Sequence, residues 1–160
     1  MSNWKFNKRE YDKHDQKSKK TAVEFLEGWG YKLETPLSEQ GEMLTSGDFI
    51  MIGPLDGKFI IEVEHKTPWV AFGEWQSQFP SIDIPYRKKT TFANMIKNYG
   101  DNSMYIMFNR DYDTLLVLDI ADIVDSKTYR KNTYGSKMEE FYMVNPTLAN
   151  IYVYNGKHWR

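Results

Sequence analysis

Acidic and basic side chains alternate with other residues in Ile60-Ile61-Glu62-Val63-Glu64-His65-Lys66, and an aspartate, Asp48, stands some sixteen residues before Glu64. Along an extended strand successive side chains point to opposite faces. If Phe59–Lys66 is such a strand, Phe59, Ile61 and Val63 enter a core while Ile60, Glu62, Glu64 and Lys66 share the other face. Two carboxylates and an ammonium then line up, and Asp48 joins them if the chain doubles back as a hairpin. Such a set suits hydrolysis of a phosphodiester. Hard divalent cations such as Mg²⁺ or Mn²⁺ bind through one or two carboxylates, waters and phosphate oxygens. A cation held there activates a water and neutralises charge that builds on the phosphate. A lysine on the same face can orient the water or stabilise the transition state.

The surrounding elements supply the needed geometry. Asp48–Ile52 is short and apolar, Pro54-Leu55-Asp56-Gly57 is a turn signal, and together with Phe59–Lys66 they predict a β-hairpin. Upstream, Ala22, Phe25, Leu26 and Trp29 recur at helical spacing, predicting a helix over 17–29 closed by Gly28 and Gly30. Residues 67–86 contain Pro68, Gly73, Pro80 and Pro85 and are expected to be irregular, apart from a short helix near Glu74–Phe79. A second helix is predicted over 87–98, with Phe92, Met95, Ile96 and Tyr99 on one face. The unbroken apolar run Met104–Phe108 reads as a buried central strand. Thr114–Leu118 follows as another strand, 120–124 as a helical turn or two, and Phe141–Val144 and Ile151–Tyr154 as short strands. This order predicts an α/β fold with a mixed sheet flanked by helices.

Asp48, the hairpin and Glu64-His65-Lys66 together resemble the PD-(D/E)XK nuclease superfamily, which includes restriction endonucleases, Holliday-junction resolvases and phage nucleases. The chain from about Lys17 to Leu118 follows its α-β-β-(β)-α-β core, although Ser46-Gly47 stands where the family's proline would precede Asp48. The resemblance implies that Asp48 and Glu64 are metal ligands, joined by the backbone carbonyl of His65, and that Lys66 is the catalytic lysine. It further implies an acidic ligand from the first helix, for which Glu24 and Glu27 are the candidates. Glu62 is an alternative ligand from the strand face of Glu64, or the ligand of a shifted site. A homodimer is also implied, because cutting both strands needs two sites. The implied activity is Mg²⁺- or Mn²⁺-dependent endonucleolytic hydrolysis of DNA, in a protein of phage type.

Nucleic acid contacts are sought among basic and polar groups near the site. Arg87-Lys88-Lys89 opens the second helix and suits phosphate, while Gln76 and Gln78 suit base or backbone contact. The imidazole of His65 is expected on the opposite face as a hydrogen-bonded structural group. The net charge of −1 provides no global attraction to nucleic acid, but residues 1–20 hold seven basic against three acidic residues. Residues 1–16 are expected as a basic arm and 17–160 as one nuclease domain.

Other chemistries lack their residues. There is no cysteine, which excludes disulfides, thiolate metal sites and a cysteine nucleophile. His14, His65 and His158 have no zinc-type spacing, and neither a phosphate-binding glycine loop nor a Gly-x-Ser-x-Gly elbow occurs. No apolar run reaches membrane-spanning length and no secretory leader is expected, so no membrane association is expected and the location expected is cytoplasmic, in the host cell if phage-encoded. The alternative is the same fold without catalysis, a nucleic-acid-binding or protein-interaction module such as a phage accessory factor. A binding module has no need of carboxylates facing phosphate, which favours the enzyme.

Overall fold

The computed structural model describes residues 8–40, 47–132 and 137–160. The order is α1 (Lys8–Gly28), α2 (Leu37–Gln40), β1 (Phe49–Ile52), β2 (Lys58–His65), β3 (Ile82–Pro85), α3 (Lys89–Tyr99), β4 (Ser103–Phe108), β5 (Thr114–Asp119), α4 (Ile120–Val124), β6 (Lys127–Asn132), β7 (Met138–Val144) and β8 (Asn150–Val153). A five-stranded mixed sheet runs β1-β2-β4-β5-β8, and a three-stranded antiparallel sheet runs β3-β7-β6.

The main sheet is covered on both faces, which is why its central strands read as continuous apolar runs. On one face Ala22, Val23, Phe25 and Leu26 of α1 pack on Phe49, Met51, Ile61, Val63, Ile106 and Phe108. On the other, Ile60, Tyr105, Met107 and Leu116 meet Phe92 and Met95 of α3, Ile120 and Ile123 of α4, and the inward side chains of the small sheet. The second core includes Trp69, fully buried, with its indole N–H donating to the Glu74 carbonyl at 2.9 Å. The connection from β2 to β4 passes through residues 66–81, β3 of the small sheet and α3, and these two strands are parallel, with Glu62 opposite Tyr105 and Glu64 opposite Met107.

Helix α1 stops in a Schellman motif. Gly30 lies at φ 90°, its N–H reaches the Glu27 carbonyl, and the Tyr31 N–H reaches that of Leu26. Only glycine takes this left-handed position without penalty. The β1–β2 turn closes between the Gly53 N–H and the Gly57 carbonyl at 2.7 Å, with Asp56 at φ 69°.

Two expectations need correction. The arm expected over 1–16 is helical from Lys8 onward, where residues 8–16 extend α1; residues 1–7 and Ser46 lie outside the described residues. No helix forms near Glu74–Phe79; that stretch is a turn held by Phe79 N–H to Gln76 carbonyl and Trp75 indole to Phe79 carbonyl. Residues 67–86 are largely irregular as expected, but they include the unforeseen strand β3, which joins the small sheet rather than the main one. Among the described residues no helix is long and apolar enough to cross a membrane.

Candidate active site

Gly47 delivers Asp48. At φ +86° it turns the chain into β1, and a Cβ there would lie 2.6 Å from Ile60 Cγ1. Beyond the turn the Asp48 N–H donates to the Ile61 carbonyl at 2.8 Å. The Asp48 Oδ2 accepts from the Val63 N–H, also at 2.8 Å, so a carboxylate oxygen continues the ladder where backbone would otherwise stand. Its other oxygen lies 3.9 Å from Lys19 Nζ on α1, and Lys19 also pairs with Asp15 one turn earlier at 3.2 Å.

Counting back from the turn, Ile52 pairs with Lys58 and Phe49 with Ile61. Asp48 therefore meets Glu62 across the hairpin, not Glu64. The Glu62 carboxyl is buried and hydrogen-bonds that of Asp48. Burial first, then the neighbouring Asp48, pushes the Glu62 carboxyl up to about 9, against the pull of Lys88. Lys88 Nζ is 3.6 Å from Glu62 Oε2. The arrangement is two facing carboxyls on adjacent strands, with an ammonium against that of Glu62.

Glu64 is half-buried one pleat further along, and the Tyr105 hydroxyl on β4 donates to its Oε2. Burial raises the Glu64 carboxyl above its ordinary range, opposed by Lys66, Lys88 and Arg87. Lys66 stands on the expected face, but its Nζ donates to the Asp83 carbonyl at 3.4 Å. Asp83 joins the small sheet to this edge. Burial raises its carboxyl, yet hydrogen bonds from Lys131 (2.8 Å), Tyr129 (2.6 Å) and Ser81 (2.8 Å) outweigh that and hold it below the usual range.

A cleft of about 320 Å³ opens over Glu64, walled by His14, Asp15 and Ser18 of α1 on one side and by Thr67, Arg87 and Lys88 on the other. The His65 ring faces α1, as expected for a structural group: it donates to the Arg110 carbonyl (3.0 Å) and stacks on Tyr112 and His14 at 4.4 and 4.7 Å. Burial holds its imidazole below the ordinary value. Tyr112 sits at φ 58°, with its hydroxyl 3.0 Å from Ser18 and 3.2 Å from His14.

The remaining expected contacts separate. Of the basic trio, Lys88 enters the acidic pair, Arg87 lies on the rim paired with Glu139 at 3.0 Å, and Lys89 turns to Tyr86 and a groove beside α3. Gln76 is buried and its Oε1 accepts from the Val70 N–H at 2.7 Å, which commits it to the loop; Gln78 is exposed. Glu24 lies apart from the Asp48–Glu62 pair. It lines a separate cleft with Trp29, Tyr154 and Trp159, nine residues and roughly 13 Å of helix from Asp15. The acidic residue that α1 brings to the cleft is Asp15, and its ion pair with Lys19 at i, i+4 is the sequence signal that marks it. Tyr105 left a weaker signal, the one hydroxyl in the apolar run Met104–Phe108.

Among the described residues no group of three carboxylates or imidazoles converges as metal ligands. The chemistry on offer is the Asp48–Glu62 pair, with Glu64 and basic groups around it.

The raised Glu62 carboxyl carries a stability consequence. Glu62 holds its proton in the fold up to about pH 9 but in the unfolded chain only to about its ordinary 4.5. The folded state therefore binds more protons between those values, and stability falls as pH rises through that window. Glu62→Gln removes the titration. The expected result is a Tm several degrees above wild type at pH 8 and little different at pH 4, read by thermal unfolding across pH. Compared with known proteins, the chain matches no family model, no curated protein and no solved structure.

Proposed function

We propose that the protein is a divalent-metal-dependent endonuclease of the PD-(D/E)XK type that hydrolyses phosphodiester bonds in DNA. The observation that carries this reading is the Asp48–Glu62 carboxyl pair, held by adjacent strands against Lys88, which also lines the cleft over Glu64. Two facing carboxyls offer the oxygen donors a hard cation takes, with waters and phosphate completing its shell. Asp48 and Glu62 would hold Mg²⁺ or Mn²⁺, and the bound ion would supply an activated water and neutralise charge on the phosphate. The protein's own groups do the rest. Lys88 and Arg87 face the approaching phosphate, Glu64 is fixed by Tyr105, and the Val63 N–H fixes the Asp48 carboxylate.

The pairing differs from the one the family pattern implies, because Asp48 lies with Glu62 and Lys66 is turned to Asp83. Glu62 is thus the better partner for Asp48, with Glu64 placed one pleat away.

A second reading follows from a specific observation: each acid has an internal partner, Glu62 in Lys88 and Glu64 in Tyr105. A fold so satisfied suits a catalytically silent nucleic-acid-binding or protein-interaction module.

The two are separated by incubating supercoiled plasmid, linear duplex, single strand, a four-way junction and RNA with Mg²⁺, Mn²⁺ or EDTA. Cutting of DNA with metal and none in EDTA is the expected result. Intact substrates throughout, with folded protein, favour the silent module.

A further inference from the structure

Lys88 stands where a cation at Glu62 has to arrive. Its ammonium is 3.6 Å from Glu62 Oε2, whose side chain is only 8% exposed, while 26% of the Lys88 side chain is exposed at the mouth of the cleft. Glu64 also lies within its electrostatic reach. The backbone of Lys88 is anchored at the junction of a 3-10 turn (Tyr86–Lys88) and α3, so only the flexible stem need move for the head to change partners. The other lysine on this face, Lys66, is held by the Asp83 carbonyl, and Lys19 lies on the far oxygen of Asp48 at 3.9 Å. No other ammonium is paired with Glu62 among the described residues.

We propose that Lys88 gates the acidic pair: its ammonium lies against Glu62 Oε2 in the metal-free protein, and a divalent cation that enters at Asp48 and Glu62 displaces it onto a substrate phosphate. This rests on the metal-dependent reading above and adds an order of events to it. An ammonium and a divalent cation cannot share one buried carboxylate without strong repulsion. The displaced head group lies on the wall of the same cleft and is the nearest charge for an incoming phosphate. Cation and nucleic acid therefore bind cooperatively, since each favours the outward position of Lys88.

The test uses the full chain, Mn²⁺ alone as the first probe, and a short duplex with Ca²⁺ as the second. Calorimetric titration of Mn²⁺ compares wild type with Lys88→Ala, Lys88→Met and Asp48→Asn. Truncating a head group at the cleft mouth opens no internal cavity, the methionine keeps the stem, and thermal unfolding checks each variant. The expected result is Mn²⁺ binding lost in Asp48→Asn and tightened about fivefold to tenfold in both Lys88 variants. Unchanged or weakened binding in the Lys88 variants, with Asp48 dependence intact, overturns the gate alone. Binding indifferent to Asp48, or none in any protein, overturns the metal reading and the gate with it. The duplex supplies a readout that a purely structural lysine would not move. Without divalent cation, wild type and Lys88→Met should share one salt dependence of duplex affinity. With Ca²⁺ the wild-type slope should be steeper by about one phosphate contact. Equal slopes in Ca²⁺ overturn the transfer.

Discussion

Asp48→Asn is expected to lower metal-dependent DNA cleavage about a thousandfold, roughly 4 kcal/mol of transition-state stabilisation, while leaving the protein as stable as wild type or more so. The two effects have separate causes. An asparagine oxygen can still accept from the Val63 N–H, so the local ladder survives. The negative charge that would hold a cation disappears, and with it the carboxylate that helps push the Glu62 carboxyl up. A residue retained for structure alone would lose stability when changed; a residue retained for function gives up activity and relieves strain. Plasmid nicking rates and thermal unfolding on the same preparations read both. Cleavage within tenfold of wild type would remove Asp48 from the chemistry.

Gly47→Ala has the largest expected effect on the fold. The position lies at φ +86°, where a side chain costs about 1–3 kcal/mol. The added Cβ would sit 2.6 and 2.7 Å from Ile60 Cγ1 and Cδ1, and Ile60 is completely buried between the sheet and α3. Ile60 has no room to retreat, so overpacking adds about 1–3 kcal/mol. The expected loss is about 3 kcal/mol or more, a fall in Tm on the order of 10 °C for a chain of this size. Cleavage by the folded fraction should fall as well, because the same turn aims Asp48. Gly28→Ala is the control: nothing lies within 4 Å of its Cβ and the residue is helical, so that change should be neutral or stabilising. Denaturant unfolding of the three proteins checks the contrast, and a Gly47→Ala protein within 1 kcal/mol of wild type would contradict it.

The strand faces were legible because their period is simple. Ile61 and Val63 are core residues beneath α1, and Glu62 and Glu64 share the other face with Ile60. Met104–Phe108 lies in the centre of the sheet because a run without polar interruption can only be buried on both sides. The partner of Asp48 was harder to see, since it depends on where the hairpin turns. The closed turn from Gly53 to Gly57 sets Ile52 against Lys58, and from there the register falls on Glu62.

The small sheet left little trace in composition. Strand β3 ends in Pro85, and β6 reads Lys-Thr-Tyr-Arg-Lys-Asn with no apolar alternation. Both are edge strands, and charge and proline are what edges carry. The early turns of α1 were hidden for a related reason. Residues 8–16 are almost wholly polar, and among the ties that hold this end of the helix are the Ser18–Tyr112 and Asp15–Lys19 contacts, one long-range and one visible only as an i, i+4 pair. That end of the helix forms one wall of the cleft, and its acid, Asp15, was not among the expected ligands.

The claim at the centre of this account is that Asp48 and Glu62 together hold a divalent cation. The most direct measurement is an anomalous difference map at the manganese edge from crystals of the wild type equilibrated with Mn²⁺. The expected result is a peak between the two carboxyls, with an oxygen of Asp48 and one of Glu62 each about 2.0–2.2 Å away, near the distances hard divalent cations keep, and Lys88 withdrawn from Glu62. A map with no peak there, and with the two carboxyls still hydrogen-bonded to each other, would contradict it.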